Sequence, residues 1–318
     1  MTDLAKGRVI RTDAKVCHVD VEGEIVLAAP RGILFDPTHE QKNPVAVGDW
    51  VELDRSGNPA GLERVLPRKN WLSRTASSHD PREQVLATNV DQLFVVASVN
   101  KPGFSSARTD RILAACEWGH IPARLVLNKV DLATEVELEN LRATYESIPI
   151  DVIETCATKG AESPGIQTLR ELMRDKVSVF YGASGAGKST LLNALQPGLK
   201  LKVGKISRYW ETGKHTTTYS QMYRLDFGGY VIDTPGIRVF RLFGVPVDNV
   251  RDLFPDFRPF QARCKFSGCS HDHEPDCAVF DAVEDGELSA SRYASYVELL
   301  DELRKAKPSE DEDVEPAE

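Results

Sequence analysis

The segment KVSVFYGASGAGKSTLLNAL, residues 176–195, passes from an apolar β-prone run through a glycine-rich turn into a helical pattern. Within it, Gly182, Gly187, Lys188 and Ser189 match G-x-x-x-x-G-K-[ST]. A strand before such a match and a helix after it are the setting in which this loop binds phosphate. Residues Gly182, Ala183, Ser184, Gly185, Ala186 and Gly187 can turn backbone N–H groups inward around phosphate oxygens. The helix that begins near Lys188, with Ser189 and Thr190 in its first turn, adds the positive end of its dipole. Lys188 is expected to reach the β- and γ-phosphates, and the Ser189 hydroxyl to ligate Mg²⁺. A loop that touches only phosphates leaves the base unread.

The base is read upstream, in NKVD, residues 128–131, at the end of the apolar run ARLVL. Ionised Asp131 presents two acceptor oxygens, which match the N1–H and 2-amino donors of guanine. Adenine has no 2-amino group and carries an acceptor at N1, so it would leave the carboxylate unpaired. Asn128 can meet the base edge and brace the loop. Lys129 can lay its aliphatic stem along the base plane, and Val130 completes the tetrapeptide. GTP and GDP are the expected ligands. TCATKG, residues 155–160, lies where a second base-contacting loop is expected, with a backbone N–H near Ala157 for guanine O6. Cys156 reads there as a small packed residue.

Downstream, VIDTPG, residues 231–236, ends a strand with D-x-x-G. Asp233 can hold Mg²⁺ through water, and the Gly236 N–H can bond the γ-phosphate, a contact that hydrolysis removes. Between the two motifs lies GKHTTT, residues 213–218. One of Thr216, Thr217 and Thr218 can complete the Mg²⁺ shell, with Thr216 or Thr217 favoured.

The flanking texture predicts a multidomain chain. Residues 1–72 contain short β-prone runs (KVCHVDV, EIVLAAP, GDWVEL, GLERVLP) separated by turn residues, the pattern of a small OB-like β-barrel that can bind RNA. Residues 73–245 alternate apolar strands with helical segments, the mark of an α/β domain with a mainly parallel sheet. Residues 246–307 are short elements around CKFSGCSHDHEPDC and a final helix, a mainly α domain. That cluster supplies Cys264, Cys269 and Cys277 with two candidate imidazoles, His271 and His273. Three thiolates and one imidazole complete tetrahedral Zn²⁺ with no open position, so one structural zinc per chain is expected. Residues 308–318 read as a disordered acidic tail.

The tail's six acidic residues carry two thirds of the net charge of −9. Basic stretches at 64–74, 200–210 and 258–265 then stand out, so the overall charge does not exclude RNA. No apolar run approaches the ~20 residues of a membrane span. The N-terminus lacks an apolar signal core, and six cysteines, three of them clustered, suit a reducing cytoplasm. Cys17 and Cys116 read as packed residues. Trp50 and Trp71 read as core or hinge packing, with stacking on RNA as the alternative.

In most GTPases the phosphate loop precedes N-K-x-D; here it follows. The termini of a compact domain often lie close together, so joining them and reopening the chain elsewhere preserves the site. The order N-K-x-D, G-x-S-G-x-G-K-S, G-[KR]-H-T-T-T, D-T-P-G and a Cys/His cluster, behind an N-terminal β-domain, resembles the RsgA family, the ribosome small-subunit-dependent GTPases. The resemblance covers nearly the whole chain apart from the acidic tail. It implies a circularly permuted P-loop GTPase that assists late maturation of the 30S subunit, contacts 16S rRNA and is a monomer. It also places the fourth zinc ligand at His271. Ile237 follows D-T-P-G, where many small GTPases place a water-orienting Gln, and Ile cannot orient water. His215 is the expected substitute, since imidazole can accept a proton or orient water. Two rival readings are a permuted GTPase acting on the large subunit or another RNA, and an RNA-binding module whose nucleotide site is merely structural.

Overall fold

The computed structural model describes residues 4–32, 41–77, 79–199, 220–234 and 240–306. Its contacts divide the chain into two compact units, Met1–Phe243 and Gly244–Glu318.

The first unit opens with strands β1 (Ala5–Thr12), β2 (Cys17–Val21), β3 (Glu24–Pro30), β4 (Trp50–Asp54) and β5 (Ala60–Val65). They pair in the order β1-β2-β3-β5-β4, and β4 returns to pair with β1 from Ala5–Leu53 to Arg8–Trp50, which closes a barrel. The β3–β5 contact is parallel and the others antiparallel. This closed five-stranded barrel matches the small OB-like β-barrel expected from the turn-rich N-terminal sequence. Its strands follow a period of two: in β2, buried Cys17, Val19 and Val21 alternate with half-buried His18 and Asp20. Val9, Val19, Val51, Leu53 and Leu62 meet inside the barrel with no exposed surface.

A hairpin follows, β6 (Trp71–Ser77) with β7 (Asp80–Thr88). The motif pattern had given no element here. Its register shifts between Leu72 and Ser73 and again between Thr75 and Ser77, so bulges break the strict alternation by which a strand is recognised.

The α/β part contains β8 (Gln92–Ser98), α1 (Ser106–Trp118), β9 (Ala123–Asn128), α2 (Glu135–Glu146), β10 (Val152–Thr155), α3 (Pro164–Met173), β11 (Val177–Tyr181), α4 (Lys188–Leu195), β12 (Gln221–Arg224) and β13 (Tyr230–Asp233). Sheet order is β10-β9-β8-β11-β13-β12, parallel except at β12. All five residues of β11 are buried, which is why this strand reads as one apolar run. The helices carry their own start signals. Ser105 caps α1, Thr134 and Glu137 form a reciprocal capping box on α2, and Pro164 opens α3.

The chain lays down β8, then β9 and β10 on one side of it, and returns to place β11 on the other side. The connection order therefore reverses between β8 and β11, and a crevice forms there at the carboxyl ends of the strands. Beyond β12 the sheet runs on into the barrel through the Arg11–Gln221 pair. The segment after the second switch is tied back to this unit. Thr75 donates from N to Arg241 O at 2.9 Å and from Oγ1 to Leu242 O at 3.2 Å. Arg111 donates to Phe240 O at 3.2 Å, and the Phe240 ring meets Tyr181 edge-on at 5.4 Å.

The second unit is helical among its described residues, with two 3₁₀ helices, Val247–Leu253 and Pro255–Phe257, leading into α5 (Arg258–Gln261), followed by α6 (Ala278–Glu284) and α7 (Ala290–Ala306). Phe254, Phe257 and Tyr296 form its aromatic centre, with ring centroids 5.0–5.3 Å apart. Arg292 and Asp256, each 1% exposed, make a two-pronged ion pair at 2.6 and 3.0 Å, with the guanidinium over Phe254. Removing either partner would strand a buried charge. No described helix is long and apolar enough to cross a membrane.

Candidate nucleotide site and metal centre

The motif residues converge on the crevice between β8 and β11. Asn128 ends β9, and Lys129 leaves it in the left-handed conformation, φ 62°, which turns the chain toward Val130 and Asp131. The phosphate loop leaves β11 at Gly182, packed so closely on β8 that a Cβ there would stand 2.1 Å from Val96 O. Lys188, Ser189 and Thr190 form the first turn of α4, whose N–H groups have no carbonyl four residues back in the helix. Asp233 ends β13 beside β11, in register with Phe180.

Asn128 joins the two recognition loops. Its Nδ2 donates to Ala186 O at 2.8 Å, and its Oδ1 accepts from Thr155 Oγ1 at 3.1 Å. It is 1% exposed. Gly187 must be glycine for two reasons. Its φ is +96°, and a Cβ would lie 2.3 Å from Asn128 Nδ2. Lys129 Nζ donates to Gly185 O at 2.8 Å and to Lys101 O, which draws in the loop after β8 as well. Three loops are thus locked to one another through Asn128 and Lys129.

Lys188 is buried, and its Nζ donates to Gly182 O at 2.6 Å and Ala183 O at 3.2 Å. Burial pulls its ammonium below the ordinary lysine value, while the Asp233 charge acts the other way. Burial likewise raises the Asp233 carboxyl, opposed by Lys188. Each charge is costly alone and is supported by the other. The arrangement sets a desolvated cation on the phosphate loop against a desolvated anion at the end of β13, suited to a metal-bound polyphosphate. His215, Thr216, Thr217, Thr218, Gly236 and Ile237 lie outside the described residues.

Sequence reading missed two supports, from the last residue of β10 and the residue that follows it. Thr155 holds Asn128, as above, and the Cys156 thiol donates to Asp131 Oδ1 at 3.0 Å. The parallel register of β9 and β10, which sets Thr155 beside Asn128, creates both. The available signal was the run of small polar side chains in TCAT.

In the second unit, Cys264, Cys269, His271 and Cys277 bring four donor atoms within 4.8 Å of one another. His271 Nδ1 stands 3.6 Å from Cys264 Sγ and 3.5 Å from Cys277 Sγ. A tetrahedral zinc with bonds of ~2.3 Å to sulfur and ~2.0 Å to nitrogen sets S and N about 3.5 Å apart, so the donor set fits this ion. His273 is exposed and faces Asp272. Helix α7 holds the ligand loop from behind: Tyr293 Oη donates to His271 O at 2.8 Å, Tyr296 Oη to Ser270 O, and Arg304 pairs with Asp272 at 2.6 Å. Such outer contacts fix the direction of the ligands.

Comparison with known proteins places these features in context. The model of the family described as RsgA GTPase matches residues 65–243. A protein of Bacteroides thetaiotaomicron named small ribosomal subunit biogenesis GTPase RsgA 2 is 38% identical over 308 residues, 95% of this chain and 98% of the relative. The crystal structure of YjeQ from Thermotoga maritima is 34% identical with a TM-score of 0.71, over 96% of this chain and all of that one. That of YloQ, described as a circularly permuted GTPase, is 30% identical with a TM-score of 0.68, over 96% of both chains.

Proposed function

The chain belongs to the RsgA GTPase family, and from that premise we propose that it binds the small (30S) ribosomal subunit and assists its late maturation, with GTP hydrolysis timing its release. What carries the reading is the lock between base-reading and phosphate loops at Asn128. It stands in a chain that spans 98% of a relative named for small ribosomal subunit biogenesis.

In this reading Asp131 selects guanine while Asn128, Lys129 and Val130 hold the base loop. Residues Gly182–Thr190 cradle the phosphates, with Lys188 facing the β- and γ-groups. Ser189, Thr216 or Thr217, and Asp233 through water hold Mg²⁺, which supplies charge neutralisation at the phosphates. The Gly236 N–H senses the γ-phosphate, and His215 orients water. The barrel and the basic stretches contact 16S rRNA. The protein works in the cytoplasm as a monomer.

The test is GTP turnover by the full chain alone, with isolated 30S subunits and with isolated 50S subunits. Turnover is expected to rise with 30S by at least about tenfold, as partner-ordered switches do in other GTPases. Stimulation by 50S alone would transfer the reading to the large subunit. No turnover under any condition would leave a structural nucleotide site.

Zinc at Cys264, Cys269, His271 and Cys277 is part of the same proposal. Elemental analysis is expected to find one zinc per chain. In Cys269→Ser the content should fall toward zero, and α7 should become open to proteolysis, because metal binding and folding are coupled in such sites. GTP affinity should change by less than about twofold, since the nucleotide contacts lie in the first unit. A metal-free wild-type chain whose second unit resists protease would defeat the zinc reading.

A further inference from the structure

Trp50 reads from the sequence as core or hinge packing, yet its side chain is 38% exposed. It stands on the outer face of the barrel, where β4 returns to β1 and closes the sheet. In that seam Trp50 lies opposite Arg8, and Glu52 lies opposite Lys6. Two cations meet the indole, Lys6 Nζ at 5.0 Å from the ring centroid and the Arg8 guanidinium carbon at 5.5 Å. The same guanidinium stands 5.8 Å from the ring of Tyr230, the first residue of β13. An exposed aromatic edged by cations thus sits where the barrel borders the GTPase sheet. Neither the nucleotide chemistry nor the zinc chemistry uses it.

The two cations differ. Arg8 is half-buried and held, its Nη2 donating to Asn89 O at 2.8 Å. Lys6 is exposed, and the carboxylate opposite it is already engaged, since Glu52 accepts from Arg64 at 2.6 and 2.9 Å. The Lys6 ammonium lies over the indole instead, an attraction that is weak at an exposed site. Its flexible four-carbon stem can carry the charge to a nearby anion. The other carboxylates on this rim are also engaged, Asp20 with Gly23 N–H at 2.7 Å and Asp91 with Val177 N–H at 2.9 Å. Every base has a π-face on which an indole can stack, and single-strand sites set such rings beside cations that follow the phosphates. In barrels of this kind the oligonucleotide face is commonly that of strands 2 and 3. Here β3 exposes Ile25 and Leu27, which have no ring. The β1–β4 seam has both the ring and the cations.

We propose that the β1–β4 seam is a binding site for single-stranded RNA, in which Trp50 stacks on an unpaired base and Lys6 leaves the indole for the adjoining phosphate. A base inside a duplex has both faces covered by its neighbours, so the site selects unpaired segments. The choice of RNA as the polymer rests on the ribosomal reading above. Oligonucleotide binding is measured without the subunit, so failure of this site and failure of 30S-stimulated turnover are distinguishable.

The experiment measures fluorescence anisotropy of a labelled decauridylate, and of the duplex it forms with decaadenylate, titrated with full-length wild type, Trp50→Leu, Trp50→Phe and Lys6→Gln. Wild type should bind the single strand with a Kd below about 100 µM at physiological salt and the duplex more weakly. Trp50→Leu should weaken single-strand binding about fivefold to 150-fold, the scale of one lost base–aromatic stack. Trp50→Phe keeps a ring and should stay within about threefold of wild type. Lys6→Gln should reduce the slope of log affinity against log salt by about 0.7, the share of one phosphate contact on a single strand. Saturating decauridylate should quench tryptophan emission in wild type and not in Trp50→Leu. GDP affinity should change by less than about twofold in every variant, which shows that each is folded. The proposal is overturned if Trp50→Leu binds the single strand as wild type does, or if wild type does not bind it. A duplex bound as tightly as the single strand would mark phosphate attraction alone and overturn it equally. Equal losses in Trp50→Leu and Trp50→Phe would rule out stacking.

Discussion

Alanine at position 215 is expected to leave GTP binding near wild type and to lower 30S-stimulated turnover by about 10²–10⁴-fold, the usual effect of removing one orienting or general-base group. The nucleotide contacts are carried elsewhere, by the phosphate loop with Lys188, by Ser189 and by Asp131. Water is a different matter. The residue after D-T-P-G is Ile237, whose side chain has no polar atom, and His215 is the imidazole of the GKHTTT stretch. Single-turnover hydrolysis with excess 30S subunits, together with co-sedimentation, separates the possible roles. The variant should sediment with the subunit in its GTP-bound form, because the γ-phosphate still holds the second switch. Normal stimulated turnover would return His215 to the ordinary surface residues. Failure both to sediment and to hydrolyse would assign it to docking.

Exchange of Asp131 for Asn is expected to invert base preference. Guanine's 2-amino donor would then face an amide that offers a donor of its own, whereas xanthine carries an oxygen at that position. Losing a charge-assisted bond costs about 1.5–3 kcal/mol, or roughly ten- to 150-fold in affinity. A gain of similar size for xanthosine nucleotides compounds the change in ratio. Competition between GTP and XTP at fixed Mg²⁺ reads it directly. An unchanged preference would mean that the base is read from another part of the crevice.

Phosphate and guanine recognition are legible in a sequence because their chemistry demands particular atoms at short spacing. G-x-x-x-x-G-K-S must be local, since consecutive amides form the cradle. N-K-x-D must be local, since one turn presents it. The cysteine cluster is local for the same reason, and four closely spaced, turn-separated β-prone runs announced a small barrel. The rotated motif order could be recognised without coordinates, because each motif keeps its meaning wherever the chain begins.

What those motifs do to one another was decided by the tertiary structure. Asn128 binds Ala186 across 58 residues, and only the placement of β9 and β11 on either side of β8 brings them together. Cys156 looked like filler until the parallel register of β9 and β10 set its thiol on the Asp131 carboxylate. The hairpin Trp71–Thr88 escaped notice because its bulges break the alternation, yet it holds the segment that follows the second switch. Among the described residues, the barrel joins the GTPase sheet through the pairing of Arg11 with Gln221. A pairing between residues this far apart is set by sheet order and register. These are properties of the packed chain, because any one β-prone run can hydrogen-bond equally well to several others.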